Sequence, residues 1–213
     1  MKIKINEIYY SIQGEIFVGR PTTFVRVSGC NLIQNNNECG FCDSKFAENG
    51  KKMELEDIIT KIEEYSCKNV VITGGEPLYQ RNIYKLVEVL QNKRYNVNLE
   101  TNGSIFDKRM LLFDYIICSP KKQSINVKTL EFINKNINNK YFKFVYEKKE
   151  DEWWEGIIKK INIRSEDVYI MPEGKTREKQ LSKMAEVVEY CKLKNYNFTP
   201  RLHILIWGNK RGV

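Results

Sequence analysis

Short apolar runs of strand length alternate with apolar stripes of helical spacing along most of this chain, and that alternation is what most constrains its fold. Thr23 to Ser28, Asn69 to Thr73, Val97 to Thr101, Tyr115 to Cys118, Phe142 to Tyr146 and Val168 to Met171 read as strands, and Leu202 to Trp207 reads as the last one. Between them Leu55, Ile58, Ile59 and Ile62 fall at helical spacing, as do Ile83, Leu86, Val87 and Leu90, then Leu181, Met184, Val188 and Cys191. Strands separated by helices pair in parallel through right-handed crossovers. The residues that break the pattern fall just after strands: Thr73-Gly74-Gly75-Glu76-Pro77, Glu100-Thr101-Asn102-Gly103, Ser119-Pro120-Lys121, Met171-Pro172-Glu173-Gly174 and Trp207-Gly208. In β/α barrels the carboxyl ends of the strands are where active sites are built. A closed barrel of eight units is cramped in 213 residues. The expectation is a partial, open TIM-like β/α barrel of about six strands, in a single domain over residues 1–213.

Composition narrows the class. No apolar run is long enough to span a bilayer, and Met1-Lys2-Ile3-Lys4-Ile5-Asn6 is strand-like, without the apolar centre of a signal peptide. A cytoplasmic enzyme is the expectation. The net charge of +8 admits a nucleic-acid partner, yet the lysines are scattered and often sit beside glutamate, as in Glu147-Lys148-Lys149-Glu150. That pattern reads as a solvated surface. No repeat or low-complexity linker occurs, and the polar stretch Asn31 to Glu38 reads as a loop.

Cysteine placement points to a metal. Six cysteines in a chain this long do not make a disulfide scaffold, and three of them, Cys30, Cys39 and Cys42, are clustered as C-x8-C-x2-C. Three thiolates can hold an iron–sulfur cubane with one open iron, or a zinc ion completed by His203, the chain's one histidine. The Gly-Gly turn about thirty residues on lets backbone approach a ligand closely. Cys67, Cys118 and Cys191 sit in helix or strand patterns and read as small buried apolar groups.

Phe41-Cys42-Asp43-Ser44 resembles the aromatic-Cys sequence that ends the cluster motif of the radical S-adenosylmethionine (SAM) superfamily. The five extra residues between the first two cysteines, relative to that superfamily's usual spacing, are themselves a feature of the 7-carboxy-7-deazaguanine synthases. Further similarity to that family runs through Tyr10-Ser11-Ile12-Gln13-Gly14-Glu15, Arg20-Pro21, Phe24-Val25-Arg26, Glu100-Thr101-Asn102-Gly103, Ser119-Pro120-Lys121 and Arg201 to Val213. The resemblance implies conversion of 6-carboxy-5,6,7,8-tetrahydropterin to 7-carboxy-7-deazaguanine with loss of ammonia, the ring contraction that leads to queuosine and other 7-deazapurines. It implies a [4Fe–4S] cluster on Cys30, Cys39 and Cys42, SAM on the open iron, Mg²⁺ at Ser44, an electron donor such as flavodoxin or ferredoxin, and a homodimer.

By the same resemblance Phe41, Cys42, Asp43, Gly75, Glu100, Ser119, Pro120, Lys121, Met171, Pro172, Glu173 and Gly174 contact SAM. Ile12, Gln13, Gly14, Glu15, Arg26, Thr73, His203 and Val213 contact the substrate, the last through its terminal carboxylate. Gln13 and Glu15 suit the donor edge of a pterin, and the Arg26 fork suits its carboxylate. Plainer readings stand beside these: Ser44 as a turn or N-cap serine, Glu100 as a solvated strand end, His203 as a satisfied core histidine, Val213 as a frayed tail. Two other functions remain at this point, a glycyl-radical-enzyme activating protein and a zinc-binding nucleic-acid module. Ser11-Ile12-Gln13-Gly14-Glu15 favours the small substrate.

Overall fold

The computed structural model describes residues 1–36, 39, 40, 42, 45–148 and 152–213. Its elements in chain order are β1 Lys2–Ile12, β2 Pro21–Val27, α1 Asn31–Gln34, β3 Lys51–Glu54, α2 Leu55–Glu63, β4 Asn69–Gly74, α3 Ile83–Asn92, β5 Asn96–Thr101, β6 Ile116–Cys118, α4 Val127–Asn136, β7 Lys140–Tyr146, α5 Trp154–Ile161, β8 Val168–Pro172, α6 Arg177–Lys194, β9 Asn197–Phe198 and α7 Leu202–Trp207.

One nine-stranded sheet runs in the order β3-β1-β2-β4-β5-β6-β7-β8-β9. β2 and β4 through β9 pair in parallel, and β1 pairs antiparallel with both β2 and β3. The expected open, partial barrel is present. It has seven parallel strands where about six were expected, because the two-residue β9 adds one, and an antiparallel β1–β3 flank extends it.

Alternation along each strand separates the two faces. Val25, Val27, Val70, Ile72, Leu99, Phe142 and Phe144 point outward and pack beneath the helices, with Ile58, Leu86, Leu90, Leu130 and Trp154. Phe24, Val71, Tyr115 and Ile117 point inward, where Tyr141 and Tyr169 join them to close the base of the barrel. Ile16 and Phe17 enter this inner cluster from the segment between β1 and β2. Phe17 takes a left-handed φ of 58° and sets its ring 5.0 Å from Tyr115 and 5.1 Å from Tyr141.

That segment also bridges the open side of the barrel. The Gly14 carbonyl accepts from Leu202 N–H at 2.6 Å, and the Glu15 carbonyl accepts from the Thr199 hydroxyl at 2.6 Å. Within it, Gln13 N–H donates to the Arg20 carbonyl and Gly19 N–H donates to the Gln13 carbonyl, both at 2.8 Å.

Four expectations are corrected. Leu202 to Trp207 is the helix α7 and not a strand. An unbroken apolar run has no period to distinguish the two. Pro200 supplies no N–H to extend β9, and Ile204 and Leu205 N–H both turn back to the Arg201 carbonyl. Asn31 to Glu38 is not wholly loop, since it opens with α1. The buried face of α6 is Gln180, Val187, Tyr190 and Cys191, while Leu181 is 56% exposed. Gln180 is drawn inward because its amide donates to the Pro172 and Gly174 carbonyls at 2.8 and 3.1 Å. Cys67 is partly exposed in a turn, with its thiol on the Pro21 carbonyl at 3.3 Å, whereas Cys118 and Cys191 are buried as expected.

Candidate active site

The carboxyl ends of the parallel strands surround a cavity of about 290 Å³. Cys30, Cys39 and Cys42 all line it, although they come from different parts of one long connection after β2. Cys30 occupies the residue before α1, where the backbone N–H groups of Leu32 and Ile33 favour its thiolate without forming a capping hydrogen bond to the sulfur. The Asn102 amide stands 4.0 Å from the same sulfur. Cys42 N–H donates to the Cys39 carbonyl at 3.0 Å, and Lys175 donates to the Cys42 carbonyl at 2.9 Å. Leu32 and Ile33 pack against the thiols and dry that wall. Burial pushes the Cys30 and Cys39 thiols up, and Lys121 pulls Cys39 back down. Three thiols lining one cavity, with an apolar backing, are the donor set of an iron–sulfur cluster, although among the described residues no three His, Cys, Asp or Glu side chains already stand together around one metal position. His203 lines the same cavity, against Gly14 and with Nε2 3.5 Å from Arg201.

The Gly74-Gly75 turn makes a close approach to the protein's own backbone. A Cβ on Gly75 would fall 2.2 Å from the Gly29 carbonyl oxygen and 3.1 Å from Cys30 Cβ. One on Gly74, at φ +129°, would fall 2.2 Å from the Val27 carbonyl oxygen. The glycines let the end of β4 lie directly against the start of the cysteine connection. Glu76 fixes that contact. It is fully buried, its N–H donates to the Gly29 carbonyl, and its carboxylate accepts from Thr101 Oγ1, Asn102 N–H and Leu78 N–H at 2.8, 2.7 and 3.1 Å. Burial lifts its carboxyl to about 7 against those donors.

Much of the remaining lining is charged. Glu15 makes an ion pair with Lys143 and lies 3.5 Å from Arg201 Nε. Its burial favours the neutral form, but Lys143, Arg201 and His203 outweigh that and hold the carboxyl below its ordinary range. Glu100 accepts from Thr73 Oγ1 at 2.6 Å, and burial raises its carboxyl despite the opposing charge of Lys143. Arg26 donates to Glu7 and to the Tyr9 hydroxyl, each at 2.8 Å. Its side chain is 16% exposed, so it belongs to the site and not to the outer surface. Lys121 donates to Ser119 Oγ at 2.8 Å, and Arg201 donates to the Gly174 carbonyl at 2.9 Å.

The cavity thus gathers Cys30, Cys39, Cys42, Gly75, Glu100, Ser119, Lys121, Met171, Glu173 and Gly174 with Ile12, Gln13, Gly14, Glu15, Arg26, Thr73, His203 and Val213. Pro120 and Pro172 are not among its lining. Pro172 pairs with Tyr146 at the end of β8. Phe41, Asp43 and Ser44 lie outside the described residues. Gln13 ties its segment to the inner face of the barrel, since its side-chain amide donates to the Tyr115 hydroxyl at 3.4 Å. The sequence reading missed Lys143, Arg201, Glu7, Tyr9 and Asn102 as lining residues. A lysine within Tyr141-Phe142-Lys143-Phe144-Val145 is a detectable signal, because a charge inside an apolar strand needs a partner.

An open β/α barrel with three thiols gathered at the carboxyl ends of its strands is the architecture of the radical SAM enzymes, and the Radical SAM superfamily profile matches residues 25–185. QueE from Escherichia coli has the same fold, with a TM-score of 0.74 over 95% of each chain at 21% identity. The 7-carboxy-7-deazaguanine synthase of Aquifex aeolicus is 35% identical over 205 residues, covering 89% of this chain and 87% of that one. The enzyme of that name from Halobacterium salinarum is 31% identical, covering 97% and 91%. The chain belongs to the 7-carboxy-7-deazaguanine synthase family. It is a radical SAM lyase that works with a [4Fe–4S] cluster and SAM. Its reaction is the conversion of carboxytetrahydropterin to 7-carboxy-7-deazaguanine with loss of ammonia.

Proposed function

We propose that the two walls of the cavity divide that reaction between them. Cys30, Cys39 and Cys42 hold the cluster, and the bound cluster and SAM supply the radical that takes a hydrogen from the substrate. Cys42, Gly75, Glu100, Ser119, Lys121, Met171, Glu173 and Gly174 flank SAM, and the family resemblance adds Phe41 and Asp43 to its contacts. The charged wall holds the pterin. Glu15 accepts from its donor edge, Arg26 meets its carboxylate, and Thr73 and His203 complete the enclosure with Ile12, Gly14 and Val213. Gln13 contributes by fixing the segment that carries Glu15.

The observation that carries this division is the placement of Glu15 in the cavity that the thiols also line, paired with Lys143 and delivered by a segment pinned to Thr199 and Leu202. Glu15→Gln should weaken pterin binding to the reconstituted enzyme while leaving SAM affinity unchanged. Equal losses for both ligands would reject it. Mg²⁺ at Ser44 belongs to the same reading and is tested by adding a chelator to the turnover assay. The physiological donor is a one-electron carrier of the flavodoxin or ferredoxin kind. The protein acts as a single domain over residues 1–213, in a homodimer, in the cytoplasm. No helix among the described residues is long and apolar enough to cross a membrane.

A further inference from the structure

The charged wall holds a residue that neither the motif pattern nor the family assignment uses. Lys143 projects from the middle of β7 and is 9% exposed. Its neighbours in sequence, Phe142 and Phe144, are fully buried on the opposite face of the sheet, so the alternation of the strand turns Lys143 into the cavity. There its ammonium pairs with Glu15, which arrives from the far side of the open barrel. It also exerts the largest favourable charge effect on Glu100 of β5. A buried lysine costs free energy unless it is paired, and a buried carboxylate does likewise.

We infer that Lys143 is a positioning residue of the substrate site: its ammonium, reaching Glu15 across the open barrel, fixes the carboxylate where it meets the pterin. This inference rests on the reading of Glu15 as a substrate contact. The Glu15 backbone is held by Thr199, but a carboxylate at the end of a rotatable side chain needs a second anchor. Arg201 at 3.5 Å is more distant, and it is engaged by the Gly174 carbonyl. Without Lys143, Glu15 would share a buried cavity with Glu100, and like charges in such a place drive one carboxylate to take up a proton. A protonated Glu15 accepts less well from a pterin N–H edge. The other charged or titratable groups lining the same cavity are Arg26 on β2, Glu7 and Tyr9 on β1, the three thiols, Lys121 after β6, Glu173 after β8, Arg201 and His203 at α7, and Lys210, Arg211 and the carboxylate of Val213 beyond it.

The test is equilibrium binding of carboxytetrahydropterin to the oxidised holoenzyme with SAM, which binds without turning over. Lys143→Met and Glu15→Gln should each weaken binding about ten- to a hundredfold. The double variant should be no weaker than the worse single one, within about twofold. Lys143→Arg should recover most of the affinity. Between about pH 5.5 and about pH 8.5 the Lys143→Met deficit should shrink as pH rises and Glu15 loses its proton. Glu15→Gln, which cannot ionise, removes that slope and leaves any contribution of His203. Iron content and SAM affinity report folding, and Lys143→Gln replaces Lys143→Met if the methionine variant does not fold. Binding by both Lys143 variants within about twofold of the native protein, while Glu15→Gln is weak, overturns the inference alone. So do additive losses, which would mean that Lys143 acts apart from Glu15. Native affinity in Glu15→Gln overturns the substrate-site reading and the inference together.

Discussion

The Glu76 carboxylate accepts the backbone N–H of Asn102 at 2.7 Å, and this contact ties the turn after β4 to the end of β5 behind the cysteine connection. Three strands meet there, since Glu76 N–H reaches Gly29 after β2.

Removing this carboxylate should destabilise the protein. Glu76→Ala leaves the buried N–H groups of Asn102 and Leu78 without an acceptor, at about 1–3 kcal/mol each. Glu76→Gln keeps an acceptor and tests the charge alone. The native carboxyl titrates at about 7, raised by burial from 4.5. A raised folded value means that the stability linked to this group is complete below about pH 4.5 and is lost as pH rises toward 7. Urea unfolding of the iron-free protein should show native stability falling relative to Glu76→Gln across that window, by about 3 kcal/mol at most. Parallel profiles would contradict the assignment.

Gly75→Ala should damage the cluster connection more than its size suggests. The added methyl would stand 2.2 Å from the Gly29 carbonyl oxygen and 2.6 Å from its carbon, so backbone next to Cys30 must shift. The expected cost is about 1–3 kcal/mol with reduced iron content. Gly40→Ala, where a Cβ meets nothing within 4 Å, is the control. Iron analysis and thermal unfolding of both variants decide it, and a native-like Gly75→Ala would show that the turn can relax.

Cys30→Ala, Cys39→Ala and Cys42→Ala should each abolish the brown colour and SAM cleavage, because two thiolates cannot hold a cubane. Cys67→Ala, Cys118→Ala and Cys191→Ala should retain both, since each loses only a small sulfur. Full iron and SAM cleavage in Cys39→Ala would reject the ligand set.

The parts of the fold that were legible in the sequence were those with a clean period or a specific motif. Ile58, Ile59 and Ile62 read as helix and are buried in α2, and Asn69 to Thr73 reads as strand and lies in β4. The turns at Gly74-Gly75, Asn102-Gly103 and Ser119-Pro120 were placed correctly at strand ends, and the thiols, Glu15, Arg26, Thr73 and Glu100 do converge on one cavity. What escaped depends on long-range partners. Leu202 to Trp207 carries strand propensity, yet the local turn at Arg201 makes it a helix. Gln180 displaces Leu181 from the buried face of α6 because two carbonyls await it. Lys143 and Glu15 are far apart in sequence, and only the bridging segment after β1 shows that they pair. The Gly-Gly requirement was legible, but its cause was not, because Gly29 and Gly75 meet only in the folded chain.

The most direct test of the account is anaerobic turnover of the reconstituted enzyme with a chemical reductant, SAM and 6-carboxy-5,6,7,8-tetrahydropterin, read by mass. The account predicts a product lighter than the substrate by one ammonia and matching 7-carboxy-7-deazaguanine, formed only with intact cluster and SAM and lost in Cys30→Ala. SAM cleavage that proceeds with no change in the pterin would contradict it.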